Sequence, residues 1–163
     1  MDFKMIIYII SAILLLGYTL YISITDCKKM KLEYWQSGLT YLFAIFYAIA
    51  DMLVANALIG KNILFHVLGC VIIFAVFLVT AMIKVKGKNS FGGADIWVAG
   101  AMGLAFGLSN LTLFVFIMAA SFLLYAIGYK IKNKHLPTKT PFVPFFGIAA
   151  FILVILSLIL RIA

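Results

Sequence analysis

Long apolar segments separated by short polar connections run along the whole chain. Six of these segments cover residues 5–24, 38–56, 63–83, 95–108, 111–129 and 143–161. About 20 residues in a helix cross a hydrocarbon core of about 30 Å, and all the segments except the short fourth one reach roughly that length. The pattern therefore predicts an all-α fold, a bundle of six transmembrane helices in a polytopic membrane protein.

The composition agrees with a membrane location, because 66% of the 163 residues are hydrophobic and only 11% are charged. A soluble domain of this size could not bury so much apolar surface. The first apolar segment is longer than that of a secretory signal and no A-x-A site follows it, so we expect it to remain in the mature protein. No repeat or long linker divides the chain, and we expect residues 1–163 to form a single transmembrane domain.

The basic residues indicate how the bundle is oriented in the membrane. Ten of them fall in three connections, 25–37, 84–94 and 130–141, whereas Lys4, Lys61 and Arg161 lie near the opposite ends of the segments. The positive-inside rule then places the three basic connections in the cytoplasm and both termini outside a multi-pass protein of the cytoplasmic membrane. The net charge of +8 does not form a basic stripe interleaved with aromatic residues, so we expect the lipid bilayer and not nucleic acid as the partner.

The five acidic residues are few enough to consider one by one. Asp2 and Glu33 are expected to be surface charges, near the terminus and in a basic connection respectively. With the orientation above, Asp26 ends the first helix and Asp95 begins the fourth at the same cytoplasmic leaflet. Asp51 belongs to the opposite leaflet, where we expect it to be paired or to reach the interface. Because a carboxylate at membrane depth costs about 2.5 kcal/mol or more at a helix centre, Asp26 and Asp95 form a functional-site hypothesis.

Two stripes of residues predict that both of these aspartates face the interior of the bundle. One stripe is polar and repeats at helical spacing, and the other consists mostly of small residues that allow a second helix to approach closely. The polar stripe is Thr19, Ser23 and Asp26, and the small-residue stripe is Asp95, Ala99, Gly103 and Gly107. Two inward-facing acids at one depth can meet inside the protein.

Two carboxyls that meet are expected to share one proton, because like charges a few ångströms apart resist double ionisation. The dipole at a helix N-terminus favours an ionised Asp95, and the dipole at a helix C-terminus favours a protonated Asp26, whereas the lysines that follow Asp26 favour the reverse order. Such a pair can activate water with one member and protonate the leaving nitrogen with the other, which hydrolyses a peptide bond without a covalent intermediate. Gly92 and Gly93 are compatible with two interpretations. They form a plain turn before the helix, or they let a substrate strand approach the backbone in a loop whose dihedral angles are closed to other residues.

Three motifs make the chain resemble the GxGD-type aspartic proteases of membranes, and among them the prepilin peptidase and preflagellin peptidase group. The first is Asp26 followed by a short basic loop, the second is F-G-G-A-D at 91–95, and the third is T-P-F-V-P-F at 140–145. Their order and spacing are similar to those of a six-span enzyme, and the resemblance covers nearly the whole chain.

The resemblance implies an aspartic endopeptidase that removes the short basic leader of pilin-like or flagellin-like precursors at the cytoplasmic face. The prolines of the third motif open the last helix and shape the pocket in that family. No cofactor is expected, and no metal, because no histidines and carboxylates gather at one depth. The residues assigned to the site are catalytic Asp26 and Asp95, and substrate-binding Gly92, Gly93, Pro141 and Pro144.

The chain departs from the family pattern at several positions. Ala94 stands where the family has a glycine before the second aspartate, and its methyl group is incompatible with a left-handed backbone. Residues 31–35 replace the isoleucine-proline-asparagine turn that often follows the first aspartate, so the leader it recognises can differ. The chain also has no room for the cysteine-rich insertion of members that methylate the new amino terminus. It is similar to the short, peptidase-only form.

Two other classes of function are compatible with the composition. A small proton-coupled transporter would use Asp26, Asp51 and Asp95 as a relay across the membrane, and inverted repeats would support it. No internal repeat is visible, and the acids are not spaced evenly through the bundle. A membrane scaffold without catalysis is the third class, and in that case the acids would be dispensable.

Overall fold

The computed structural model describes residues 2–55, 59–85, 88–89, 92–135 and 140–162. Their secondary structure consists of five helices and one short antiparallel hairpin. All five helices are long and apolar enough to cross a membrane, which confirms the prediction of a helical membrane protein. The elements are α1 (Phe3–Lys29), α2 (Tyr34–Val54), α3 (Ile59–Met82), β1 (Lys84–Val85), β2 (Lys88–Asn89), α4 (Gly93–Asn133) and α5 (Val143–Ile162).

The connection between α1 and α2 is tight because both helix ends are closed by local hydrogen bonds. Met30 takes a left-handed conformation at the end of α1, and its N–H donates to the carbonyl oxygen of Asp26 at 2.8 Å. At the start of α2, the N–H of Glu33 donates to the side-chain oxygen of Gln36 at 2.9 Å, as in a capping box. Helix α1 extends beyond the predicted apolar segment, so Asp26 lies within its last turn.

The fourth and fifth predicted segments, 95–108 and 111–129, both lie within α4, a helix of 41 residues. A straight helix of that length would measure about 60 Å, twice the thickness of the hydrocarbon core. The helix is not straight, because the backbone of Gly107 is non-helical, with φ of 64° and ψ of 178°. A positive φ of this kind favours glycine. Gly107 divides α4 into two arms, 93–106 and 108–133.

The two arms return to the same end of the bundle. In the first arm, Asp95 lies within electrostatic range of Asp26. In the second arm, the ring of Phe122 stacks on Phe142, with centroids 5.0 Å apart. Phe142 directly precedes Val143, whose N–H donates to Asp26. The chain therefore reverses its direction near Gly107.

His66 of α3 compensates for the break in α4. In a regular helix the carbonyl oxygen of Leu104 would accept from the N–H of Leu108, and Gly107 lies between these residues. The Nδ1 atom of His66 lies 2.7 Å from the oxygen of Leu104, and it must be the donor because a carbonyl only accepts. The imidazole packs beside Gly107, where a Cβ atom would lie 3.2 Å from Nδ1. His66 is thus a buried residue that supports the reversal of α4.

Helices α3 and α4 touch through their backbones. A Cβ atom on Gly69 would lie 2.6 Å from the carbonyl oxygen of Gly103, and a Cβ atom on Gly103 would overlap the carbonyl oxygen of Gly69. Ala99, one turn before Gly103, is completely buried. The predicted stripe of small residues is therefore confirmed as a face of close helix packing.

Polar side chains at the end of the bundle far from Asp26 tie α1, α2 and α5 together. We call Tyr8, Tyr47, Asp51, Ser157 and Arg161 the distal cluster. Nη2 of Arg161 forms an ion pair with Oδ1 of Asp51 at 2.6 Å, and its guanidinium lies 4.6 Å from the centroid of the Tyr8 ring. The expected pairing of Asp51 is confirmed. The first turns of α1 and the last turns of α5 lie at this same end.

We expect Gly103→Ala to lower the stability of the bundle, because the added methyl group would overlap the backbone of α3. Overpacking of this kind costs about 1–3 kcal/mol of unfolding free energy. Gly17→Ala in α1 is the matched control, since no atom lies within 4 Å of the added Cβ and a helical alanine stabilises by up to about 1 kcal/mol relative to glycine. Thermal unfolding of both variants in detergent measures the difference, and equal midpoints would contradict the close contact.

Candidate active site

Asp26 is buried between α1 and α5, with 6% of its surface exposed. The N–H of Val143, the first residue of α5, donates to Oδ2 of Asp26 at 3.2 Å, and the N–H of Phe142 acts on the same carboxyl. The first N–H groups of a helix have no partner within the helix and carry its positive dipole end. The start of α5 therefore supplies the donors that a buried carboxylate needs.

The two prolines of the third motif determine where α5 begins. Pro144 is the second residue of the helix, where its missing N–H removes no helical hydrogen bond. Pro141 precedes the helix, and the carbonyl oxygen of Phe142 accepts from the N–H of Phe145 at 3.0 Å. Both prolines are partly buried, and they flank the two residues whose N–H groups face Asp26.

Close packing between α1 and α5 holds this arrangement in place. Thr19 and Ser23 are 1% and 7% exposed, so the polar stripe of α1 faces inward as predicted. The hydroxyl of Ser23 donates to the carbonyl oxygen of Thr19 at 2.7 Å. On α5, a Cβ atom at Gly147 would lie 3.0 Å from the Ser23 oxygen. A glycine at this position lets α5 approach the same face of α1 that carries Asp26.

Asp95 is the third residue of α4, and it is partly buried. Its Oδ2 atom accepts from the N–H of Gly92 at 3.1 Å, so the carboxyl closes the first turn of its own helix. A Cβ atom on Gly92 would lie 3.2 Å from the same oxygen, closer than an ordinary contact. A side chain at residue 92 would therefore crowd the carboxyl of Asp95.

Of the alternatives for the glycines before Asp95, dihedral angles closed to other residues are not found at Gly92 or Gly93. Gly92 has extended angles, with φ of −72° and ψ of 150°, and Gly93 is the first residue of α4. Any residue can adopt extended or helical angles such as these, because neither requires a positive φ. Ala94 is likewise helical, so its methyl group is compatible with the backbone where the family has glycine. Phe91, the first residue of this motif, lies outside the described residues.

Gly93, at the start of α4, lies beside Tyr34 at the start of α2, and Asp26 lies in the last turn of α1 just before α2, so the structure brings the two predicted acids to one end of the bundle. The C-terminus of α1 favours a protonated Asp26, but the N-terminus of α5 faces the same carboxyl and favours its anion. At Asp26 the two helix dipoles therefore oppose each other, whereas Asp95 lies only at the N-terminus of α4. The dipole of α1 alone does not assign the shared proton.

Asp51 does not join this pair. It lies in the distal cluster, and α1 is about 27 Å long between Tyr8 of that cluster and Asp26. Within the ranges that the structure describes, no three histidine, cysteine, aspartate or glutamate side chains are grouped closely enough to hold a metal ion.

Sequence reasoning missed two features of the site. One is the backbone of Phe142 and Val143, whose donors reach Asp26 across a separation of more than a hundred residues. The other is Tyr34 at the start of α2, whose hydroxyl would be 3.7 Å from a Cβ atom on Gly93. Tyr34 is 77% exposed. It belongs to the stretch 31–35 that departs from the family pattern, and this departure was the feature of the sequence that could have pointed to it.

The fold and the site together define a polytopic helical protein with two aspartates at one end of the bundle. The sequence profile of the type IV leader peptidase family matches residues 13–159, a range that contains both aspartates and all three motifs. The chain belongs to the type IV leader peptidase family, as its resemblance to prepilin and preflagellin peptidases indicates. No curated protein and no solved structure gives a significant match.

Proposed function

We propose that this peptidase is an aspartic endopeptidase with Asp26 and Asp95 as its catalytic pair. The observation that carries the proposal is the convergence of these two residues, 69 positions apart in the sequence, at the end of the bundle where α1 ends and α2 and α4 begin. Family membership supports the peptidase activity. The substrates of the family support the further proposal that this chain cleaves pilin-like or flagellin-like precursors. The cleaved bond would lie between a short basic leader and a hydrophobic helix.

In this mechanism the two carboxyls share one proton. The ionised carboxylate removes a proton from water, and the water oxygen attacks the carbonyl carbon of the scissile peptide bond. The protonated carboxyl gives its proton to the leaving nitrogen, so the carbon–nitrogen bond breaks and the pair again holds one proton. The N–H groups at the start of α5 hold Asp26 in place during these steps.

We propose that substrate reaches the pair beside Gly92 and Gly93, which are exposed and leave the backbone next to Asp95 uncovered. An extended leader junction could approach this backbone, which a side chain at residue 92 would obstruct. Pro141 and Pro144 would bound the other side of the pocket, where they fix the start of α5. The apolar helix of the precursor would pack against the membrane-facing helices.

The proposed orientation places the catalytic end of the bundle at the cytoplasmic face. Six crossings, with the two arms of α4 as the fourth and fifth, put both termini on the outer side. Two observations support this arrangement. The ends of α1 and α5 lie together in the distal cluster, as an even number of crossings requires, and Lys28 and Lys29 lie in the last turn of α1 beside Asp26.

We expect Asp26→Asn and Asp95→Asn each to lower leader removal by about a hundredfold or more, because either change removes a group that transfers a proton. A gel-shift assay with a co-expressed precursor measures the loss. Asp2→Asn is the matched control, since Asp2 is exposed at the other end of α1, and it should cleave at the normal rate. Cleavage that survives Asp95→Asn would eliminate the mechanism.

Val143→Pro tests the backbone donor of Asp26 directly. Proline suits the first position of a helix, but it lacks the N–H that donates to Asp26. The loss of a hydrogen bond to a charged group, worth about 1.5–3 kcal/mol, predicts a lower thermal midpoint together with about a ten- to hundredfold lower kcat/KM. Val143→Ala keeps the N–H and is the control. Equal loss of activity in both variants would assign the effect to side-chain packing instead.

The orientation can be checked with a membrane-impermeant maleimide on spheroplasts, in a background where Cys27 and Cys70 are replaced by serine. Ala55→Cys, just after α2, should be labelled, whereas Lys31→Cys, just after α1, should be labelled only after lysis. The physical reason is that the basic connections stay on the cytoplasmic side. Labelling of Lys31→Cys from outside would reverse the proposed orientation.

A further inference from the structure

A cavity of about 320 Å³ lies at the distal cluster, at the end of the bundle away from Asp26 and Asp95. Its polar lining includes Asp51, Asn110, Ser157 and Arg161, and its remaining walls are mainly apolar. This volume is within the range of small-molecule sites, which combine apolar walls with a few polar groups. The proposed peptidase mechanism does not use any of these residues.

Arg161 lines this cavity and carries a hydrogen-bond donor without a partner. Its Nη2 atom is taken by Asp51, whereas Nη1 is buried and has no hydrogen-bond partner among the described residues. A buried donor left unpaired costs about 1–3 kcal/mol. A rotation of the guanidinium toward the cavity would present this donor to an acceptor oxygen of a ligand and remove the cost.

The hydroxyl of Ser157 supplies a second donor, because the other hydroxyl groups of the distal cluster donate their protons elsewhere. Tyr8 donates its only hydroxyl proton to Ser157 at 2.8 Å, so Tyr47, whose oxygen lies 2.6 Å from that of Tyr8, must donate to Tyr8. Among the described residues, no acceptor is recorded for the hydroxyl proton of Ser157 itself. The amide of Asn110, an exposed residue that lines the cavity, can donate as well.

Asp51 supplies an acceptor beside these donors. Oδ1 of Asp51 is paired with Arg161, and no hydrogen bond joins its Oδ2 atom to any of the described residues. The ion pair as a whole is neutral, so a simple anion drawn to Arg161 would be repelled by Asp51 at nearly the same distance. A zwitterion with a phosphate and an ammonium group satisfies both partners.

The apolar part of the cavity is open to the bilayer. Leu113 and Leu160 line it, and they are 43% and 79% exposed. The distal cluster lies one helix length from the catalytic end, since Val143 and Arg161 are separated by about 27 Å along α5. The cavity is therefore at the depth where lipid headgroups meet acyl chains.

We propose that this cavity binds the headgroup of a zwitterionic phospholipid that carries a primary ammonium, as phosphatidylethanolamine does. The phosphate accepts from the guanidinium of Arg161, turned toward the cavity, and from the hydroxyl of Ser157, and the ammonium donates to Oδ2 of Asp51. The acyl chains leave past Leu113 and Leu160. A lipid at this position holds α2, α4 and α5 together at the end opposite to the catalytic pair.

Thermal unfolding of the delipidated full-length protein in dodecyl maltoside tests the proposal without reference to peptidase activity. Phosphatidylethanolamine, phosphatidylcholine and phosphatidylglycerol are added in separate mixed micelles. We expect phosphatidylethanolamine at tenfold above its Kd to raise the Tm by about 3–6 °C, and the other two lipids to raise it less. Phosphatidylcholine has no ammonium N–H, and phosphatidylglycerol has no cation. Equal increments for all three lipids would overturn the proposal.

Leu113→Trp fills the mouth of the cavity and leaves the Asp51–Arg161 pair intact. It should abolish the increment with phosphatidylethanolamine. Phe116→Trp is the matched control, because Phe116 lies on the same arm of α4 and is 70% exposed, and it should keep the increment. Retention of the full increment in Leu113→Trp would also overturn the proposal, as it would place the lipid elsewhere.

Asp51→Asn tests the recognition of the ammonium group. The variant leaves the charge of Arg161 unbalanced, so phosphatidylglycerol should now raise the Tm at least as much as phosphatidylethanolamine does. A preference for phosphatidylethanolamine that survives this change would refute the role of Asp51. Should the variant fail to fold, the comparison of Leu113→Trp with Phe116→Trp still decides whether the cavity binds the lipid.

Discussion

A carboxylate buried among helices must find hydrogen-bond donors inside the protein, and Asp26 finds them at the start of α5. This requirement links several features that are far apart in the sequence. Helix α1 has to continue past its apolar segment to carry Asp26 inward, and α5 has to begin where the N–H of Val143 meets the carboxyl. The glycine at 147 lets the two helices approach. Without that contact the buried acid would be costly to keep in the bundle.

The second acid reaches the same end of the bundle because α4 reverses its direction. Gly107 adopts the positive φ of the break, and His66 supplies a donor to the carbonyl oxygen of Leu104 next to it. The contact of Gly69 with Gly103 holds the first arm of α4 against α3. Breaks in membrane helices are tolerated where neighbouring groups satisfy the freed backbone. The catalytic proposal therefore rests on glycines and a histidine that are remote from the chemistry.

Polar side chains gather at each end of the bundle, around Asp26 at one end and in the distal cluster at the other. At one end, two aspartates lie beside helix N-termini and basic residues, an arrangement suited to proton transfer. At the other end, Asp51 is neutralised by Arg161 within hydrogen-bonding distance, an arrangement suited to holding helices and a zwitterionic ligand. The same residue type thus has different chemistry at the two ends, because its partners differ.

The sequence by itself determined the apolar segments, the small-residue face of α4, the inward stripe of α1 and the placement of Asp26 and Asp95 at one level. These features follow from helical periodicity and hydropathy, which are local properties of the chain. Only the tertiary structure decided that Val143 donates to Asp26, that Arg161 pairs with Asp51, and that two predicted segments are arms of one helix. Local patterns identify a helix and the side it buries, but the partner on that side depends on which helices become neighbours when the bundle packs.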